Sequence, residues 1–146
     1  MCLNLTEDSE IKVAEENIIC YKVVRRLQPG VYGSEFHSYI YKMGALNTLN
    51  SILDINKFPV NTYPTTYPNT CASICDGHDL FIEVGFHSFI CKEDAYEYKD
   101  YSHSYSSGIL YRVVKCIIPK GANYIEGTYI GYPNYASDKI ICLEEI

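Results

Sequence analysis

The run Ile-Leu-Tyr-Arg-Val-Val-Lys-Cys-Ile-Ile, residues 109–118, ends at Pro119-Lys120-Gly121 and constrains the fold more than any other stretch of this chain. β-Branched side chains lose rotamer freedom in a helix but pack well on a pleated surface, and the Pro-Lys-Gly punctuation stops regular pairing. The segment predicts a strand. Residues 18–26 (Ile-Ile-Cys-Tyr-Lys-Val-Val-Arg-Arg) predict a first, central strand on the same ground, ending before Gln28-Pro29-Gly30.

The other elements follow from these two. Residues 36–42 predict a strand after a 30–34 connection, and residues 80–90 predict sheet broken at Gly85. A short helix is expected over residues 92–101, where Glu93 and Asp94 suit the positive end of the helix dipole, with a break over 102–108. Residues 123–128 read as an antiparallel return of the 109–118 strand, residues 131–134 as a turn, and residues 139–143 as the last strand. Leu46, Leu49 and Leu53 fall at helical spacing and suggest a second short helix. Pro59, Pro64 and Pro68 forbid regular helix between residues 58 and 70 and indicate a long surface excursion. The expected fold class is α+β: a compact, mainly antiparallel β-sheet with one or two short helices. A length of 146 residues suits a single domain, residues 1–146, with a surface insert at about 44–79.

Charge and composition narrow the function classes. Twelve basic and 18 acidic residues give a net charge of -6, and the basic residues are scattered, so nucleic acid is not an expected partner. There is no run of about 18 apolar residues and no secretory leader at the start, so neither a membrane partner nor export is expected. Seven cysteines are an odd number and do not form a secreted disulfide framework; reduced thiols in a cytoplasmic protein are the expectation, with Cys20, Cys116 and Cys142 as small core hydrophobes. Fifteen tyrosines without a tryptophan favour half-exposed sheet surfaces, where an apolar ring is buried and the hydroxyl reaches a polar partner.

Candidate sites follow from this. Tyr63, Tyr67, His87, Tyr124, Tyr129, Tyr135 and Ser137 are candidate ligand or partner contacts, the first two lying on the proline-rich excursion. His87, after Gly85-Phe86, could act as a general base or bond a turn backbone. Cys71, Cys75, His78 and Cys91 supply four soft or borderline groups for a tetrahedral zinc site, but without paired Cys-x2-Cys knuckles, so no metal is favoured and no cofactor is expected. The chain has no Gly-x-Ser-x-Gly elbow, papain-like cysteine motif, P-loop or dinucleotide fingerprint.

Four segments, Ile-Ile-Cys-Tyr-Lys-Val-Val at 18–24, Gly-Phe-His-Ser-Phe at 85–89, Lys-Cys-Ile-Ile-Pro-Lys-Gly at 115–121 and Tyr-Ala-Ser-Asp-Lys at 135–139, resemble small proteins without assigned activity from Bacteroides-type gut bacteria, their phages and mobile elements. The resemblance implies a bacterial or phage accessory role in the cytosol. The function expected is non-enzymatic binding of a host protein or small ligand, with an oligomer possible. Two alternatives stand beside it: a virion or assembly structural protein, and an ADP-ribosyltransferase-like enzyme using NAD through Arg25, His87, Tyr135, Ser137 and Glu144, by analogy of fold alone.

Overall fold

A computed structural model describes residues 3–6, 8–35, 38–49, 81–82, 85–105 and 108–146. The residues expected to form the central strands do so. β3 (Ile18–Gln28) and β9 (Tyr111–Ile118) pair antiparallel from Ile18↔Ile118 to Arg25↔Tyr111. The other strands are β1 (Leu3–Asn4), β2 (Lys12–Val13), β4 (Val31–Gly33), β5 (Ile40–Tyr41), β6 (Leu46–Thr48), β7 (Phe81–Ile82), β8 (Phe86–Phe89), β10 (Asn123–Tyr129), β11 (Tyr132–Ser137) and β12 (Lys139–Glu145), with α1 (Lys92–Tyr105) as the single helix among the described residues. The main path of the sheet runs β6-β12-β9-β3-β8-β11-β10-β1-β7, and every named strand pair is antiparallel. The fold is sheet-dominated, as expected.

Asp138 alone separates β11 from β12, yet three strands (β8, β3 and β9) lie between them in the sheet. Residues 137 and 139 are at most about 7 Å apart along the chain, whereas four strand spacings of a flat sheet span about 19 Å. The sheet must therefore curl. Asp138 fixes the corner: its Oδ1 accepts from Asn123 N at 2.9 Å and its Oδ2 from Asn123 Nδ2 at 3.1 Å. The alternation of strand residues then gives an inner and an outer face. Cys20, Lys22, Val24, Val114, Cys116, Ile118, Ile140, Cys142 and Phe86 point inward, beneath Tyr39 and Tyr41. On the outer face, Ala95 and Tyr98 of α1 pack on Val23, Phe89, Tyr111 and Val113.

One expected pairing and several boundaries move: β10 does not return on β9 but pairs β11, β1 and β2, because β3 and β12 occupy both edges of β9. The second strand is not 36–42: Val31–Gly33 turns straight back on β3 over Pro29 and Gly30, whose φ of 76° is left-handed, and β5 starts at Ile40. Residues 46–48 are strand rather than helix, because they pair with Lys139, Ile140 and Ile141 of β12. Buried Asn47 locks this strand, with Oδ1 accepting from Lys42 N at 2.8 Å and Nδ2 donating to Lys42 O at 3.0 Å. The rest of the expected 44–79 insert, from residue 50 on, lies outside the described residues. The helix runs one turn past residue 101, because Ser102 faces inward and donates to Glu35 Oε1 at 3.2 Å. Of the expected 131–134 turn only Gly131 is turn, and residues 132–134 are strand. The turn is Ile130-Gly131, with φ of 49° and 82°, the left-handed pair that a two-residue hairpin requires.

Candidate functional site

The residues singled out by sequence lie on both faces of the sheet. Tyr124, Tyr135 and Ser137 are inner-face residues of β10 and β11: the two rings meet edge to face at 5.6 Å, and Tyr135 stands opposite Ser88. The Ser137 hydroxyl is bonded to Lys139 O at 3.0 Å and Phe86 O at 3.5 Å, so it is committed to the corner. His87 and Tyr129 are on the outer face; His87 is buried opposite Ala136, and the Tyr129 hydroxyl meets that of Tyr98 at 3.3 Å. Tyr63 and Tyr67 lie outside the described residues, as do Cys71, Cys75 and His78 of the expected metal set. Cys91 is described, and its thiol donates to Glu93 Oε2 at 2.8 Å. Among the described residues no group of three or more His, Cys, Asp or Glu side chains is arranged to hold a metal. Of the transferase set, Arg25 and His87 belong to the outer face and Tyr135 and Ser137 to the inner one, while Glu144 is exposed opposite Lys115.

One acid outside those expectations is chemically distinctive. Glu35 follows β4 and accepts from Tyr98 Oη at 3.0 Å and from Ser102 Oγ, both on α1. Its other oxygen is buried without a hydrogen-bond partner among the described residues. Burial raises the carboxyl's pKa, and the Tyr98 and Ser102 hydrogen bonds only partly offset this. The arrangement ties the loop after β4 to the helix.

The feature best suited to function is on the surface. α1 covers only one half of the outer face of β3 and β9. Beyond it, a row of side chains crosses four strands in register: Ile19 of β3 opposite Ile117 of β9, Ile117 opposite Ile141 of β12, and Ile141 opposite Leu46 of β6. Ile19 is 52% exposed and Leu46 49%, with Ile117 and Ile141 half-buried between them. Leu143, at the irregularity of β12, adds a further apolar side chain that is 39% exposed. The next register position carries Lys115 opposite Glu144, and Lys139 opposite Thr48 borders the other side. The sequence places these residues outward because their neighbours Cys20, Cys116, Ile118, Ile140 and Cys142 fill the inner core. No local signal marks the row, since its members come from four separated segments.

Among the described residues no helix is long and apolar enough to cross a membrane. No protein-family model, curated protein or solved structure matches the chain.

Proposed function

We propose that this is a compact α+β accessory protein of phage or mobile-element type that acts without catalysis, binding a protein partner in the bacterial cytosol through the Leu46-Ile141-Ile117-Ile19 row. The setting rests on the sequence resemblance. The mode of action rests on one observation: four opposed aliphatic side chains form a continuous ladder on a sheet face that the helix leaves uncovered. Scattered exposed aliphatics are ordinary on a protein surface, but a contiguous row with a charged rim is the pattern of a contact surface. Covering a half-exposed Ile or Leu contributes about 1 kcal/mol, so the row supplies a useful part of a modest affinity. A ladder across four strands suits a macromolecular surface better than a small ligand, which needs enclosure on several sides.

A photocrosslinking amino acid placed at Leu46 in the intact chain tests this in cells, with the same residue at Tyr105, 75% exposed on α1, as the control. The expected outcome is a discrete protein adduct from position 46 and none from position 105. No adduct at 46, or the same adducts from both positions, contradicts the proposal. An adduct with a second copy of the chain assigns the row to assembly.

A further inference from the structure

The inner face holds a second row, made of sulfur. Cys20, Cys116 and Cys142 stand directly opposite one another on β3, β9 and β12. All three are fully buried free thiols. Opposed residues of antiparallel strands have Cα atoms about 4.5–5.5 Å apart, within the range of about 4.4–6.8 Å that a disulfide bridges. Cys116 and Cys142 are closer to reaction than this implies: the Cys116 thiol donates to the Cys142 sulfur at 3.5 Å.

Beside them is the one lysine that is buried among the described residues. Lys22, two residues beyond Cys20 on the same face, donates its Nζ hydrogen to His87 O and lies 5.3 Å from the centre of the Tyr41 ring. Among the described residues it makes no ion pair with a carboxylate. An ammonium buried without a paired counter-charge is strongly disfavoured, and the ionisable groups that act on it or feel it include the Tyr41 hydroxyl, the Cys20, Cys116 and Cys142 thiols and the Glu35 carboxyl. Burial disfavours the ammonium, but Tyr41, Cys116 and Cys142 outweigh it and hold the proton on Lys22. The hydrogen bond from Cys116, aided by Lys22, lowers the pKa of Cys142 against the effect of burial. Burial pushes the Cys20 thiol up to about 11 and raises Cys116 well above its ordinary value. The row therefore sets a thiol that donates, Cys116, beside the sulfur that accepts, Cys142.

We propose that Cys142 and Cys116 are a dithiol that a hydroperoxide oxidises to an interstrand disulfide, with the Lys22 ammonium, buried on the same face of the sheet, favouring the Cys142 thiolate. The Cys142 thiolate attacks the distal oxygen of the hydroperoxide. The O–O bond breaks, the leaving oxygen takes a proton and departs as water or alcohol, and Cys142 becomes a sulfenic acid. Cys116 then attacks the Cys142 sulfur. The S–O bond breaks, the sulfenic oxygen leaves as water with the Cys116 proton, and the S–S bond forms. The two thiols are oxidised by two electrons and the peroxide is reduced by two. Both cysteines are enclosed in the closed structure, so either reagent needs local opening of the strands, and the smaller hydrogen peroxide requires a smaller opening than a bulky maleimide. The disulfide would join β9 to β12 behind Ile117 and Ile141, bracing the middle of the outer row.

The test treats the reduced full-length chain with hydrogen peroxide, blocks remaining thiols under denaturing conditions and maps the peptides by mass spectrometry. The expected product is a Cys116–Cys142 crosslink that forms while a maleimide leaves both residues unlabelled in the native protein. Cys116→Ser should instead accumulate a Cys142 sulfenic acid that a cyclic diketone traps, and Lys22→Met should slow oxidation by about ten-fold or more. Recovery of Cys116 and Cys142 as free thiols while other cysteines oxidise overturns the proposal. A Lys22→Met chain that retains its circular dichroism and oxidises at the unmodified rate overturns the role of Lys22. If that variant fails to fold, the crosslink map of the unmodified chain decides.

Discussion

Glu35 shows how a single residue carries information that its sequence context hides. Nothing in Gly33-Ser34-Glu35 marks it as unusual, yet its carboxyl is enclosed with Tyr98 and Ser102 of the helix, and burial raises its pKa. A raised pKa means that the folded state favours the neutral acid. Its contribution to stability is complete below the ordinary value of 4.5 and is lost as pH rises through the higher folded value. Glu35→Gln keeps a neutral side chain of the same shape, so it should abolish this fall. Urea midpoints of the two proteins should converge in acid and separate toward neutral pH, with Glu35→Gln the more stable; parallel pH profiles would contradict the assignment. Ile130 is illegible for a different reason: a β-branched residue is strongly disfavoured at its φ of 49°, so composition points to a turn that starts one residue later, at Gly131. Lys22 reads in sequence as an ordinary alternating strand residue, and only the curl of the sheet shows that its position faces the core.

Among the elements, the strands that could be read were those whose own composition decides them. β3 and β9 are rich in β-branched residues and would be strands in almost any context. β6 is decided elsewhere: Leu46, Leu49 and Leu53 have helical spacing, but pairing with β12 overrides that local preference. The end of α1 is not legible in the sequence because its serines and tyrosines resemble a loop, whereas Ser102 is held inside by Glu35. Two short features hold larger elements in place and make testable claims. A Cβ added at Gly127 would lie 2.3 Å from Asn4 O and 2.7 Å from Leu3 Cγ. Gly127→Ala should therefore displace β1 and lower stability by about 1–3 kcal/mol in urea unfolding, and an unchanged midpoint would contradict the close approach. Asp138→Ala removes both acceptors for Asn123 at the β11–β12 corner. It should lower stability by about 1–3 kcal/mol, with increased hydrogen exchange at the Asn123 amide as the local signature.

For the whole molecule, the antiparallel, sheet-dominated fold was legible because strand runs and turn residues alternate through the described part of the chain. The contact row was not. It exists only when residues 19, 46, 117 and 141 are brought into register, and no periodicity along the chain announces that. The composition points to the tyrosines as contact surface, but in the structure many of those rings pack on one another and on the cores of the two faces. The aliphatic ladder is what the curled sheet and its single described helix leave uncovered. Native mass spectrometry of protein taken directly from cells tests this account most directly, comparing the unmodified chain with the Ile19→Glu, Leu46→Glu double variant. Both positions are about half exposed, so the variant should fold with unchanged circular dichroism. The account predicts that the unmodified chain is recovered with a bound protein at defined stoichiometry, which the variant lacks. A folded variant that retains the same complex, or an unmodified chain recovered only as the free monomer, would contradict it.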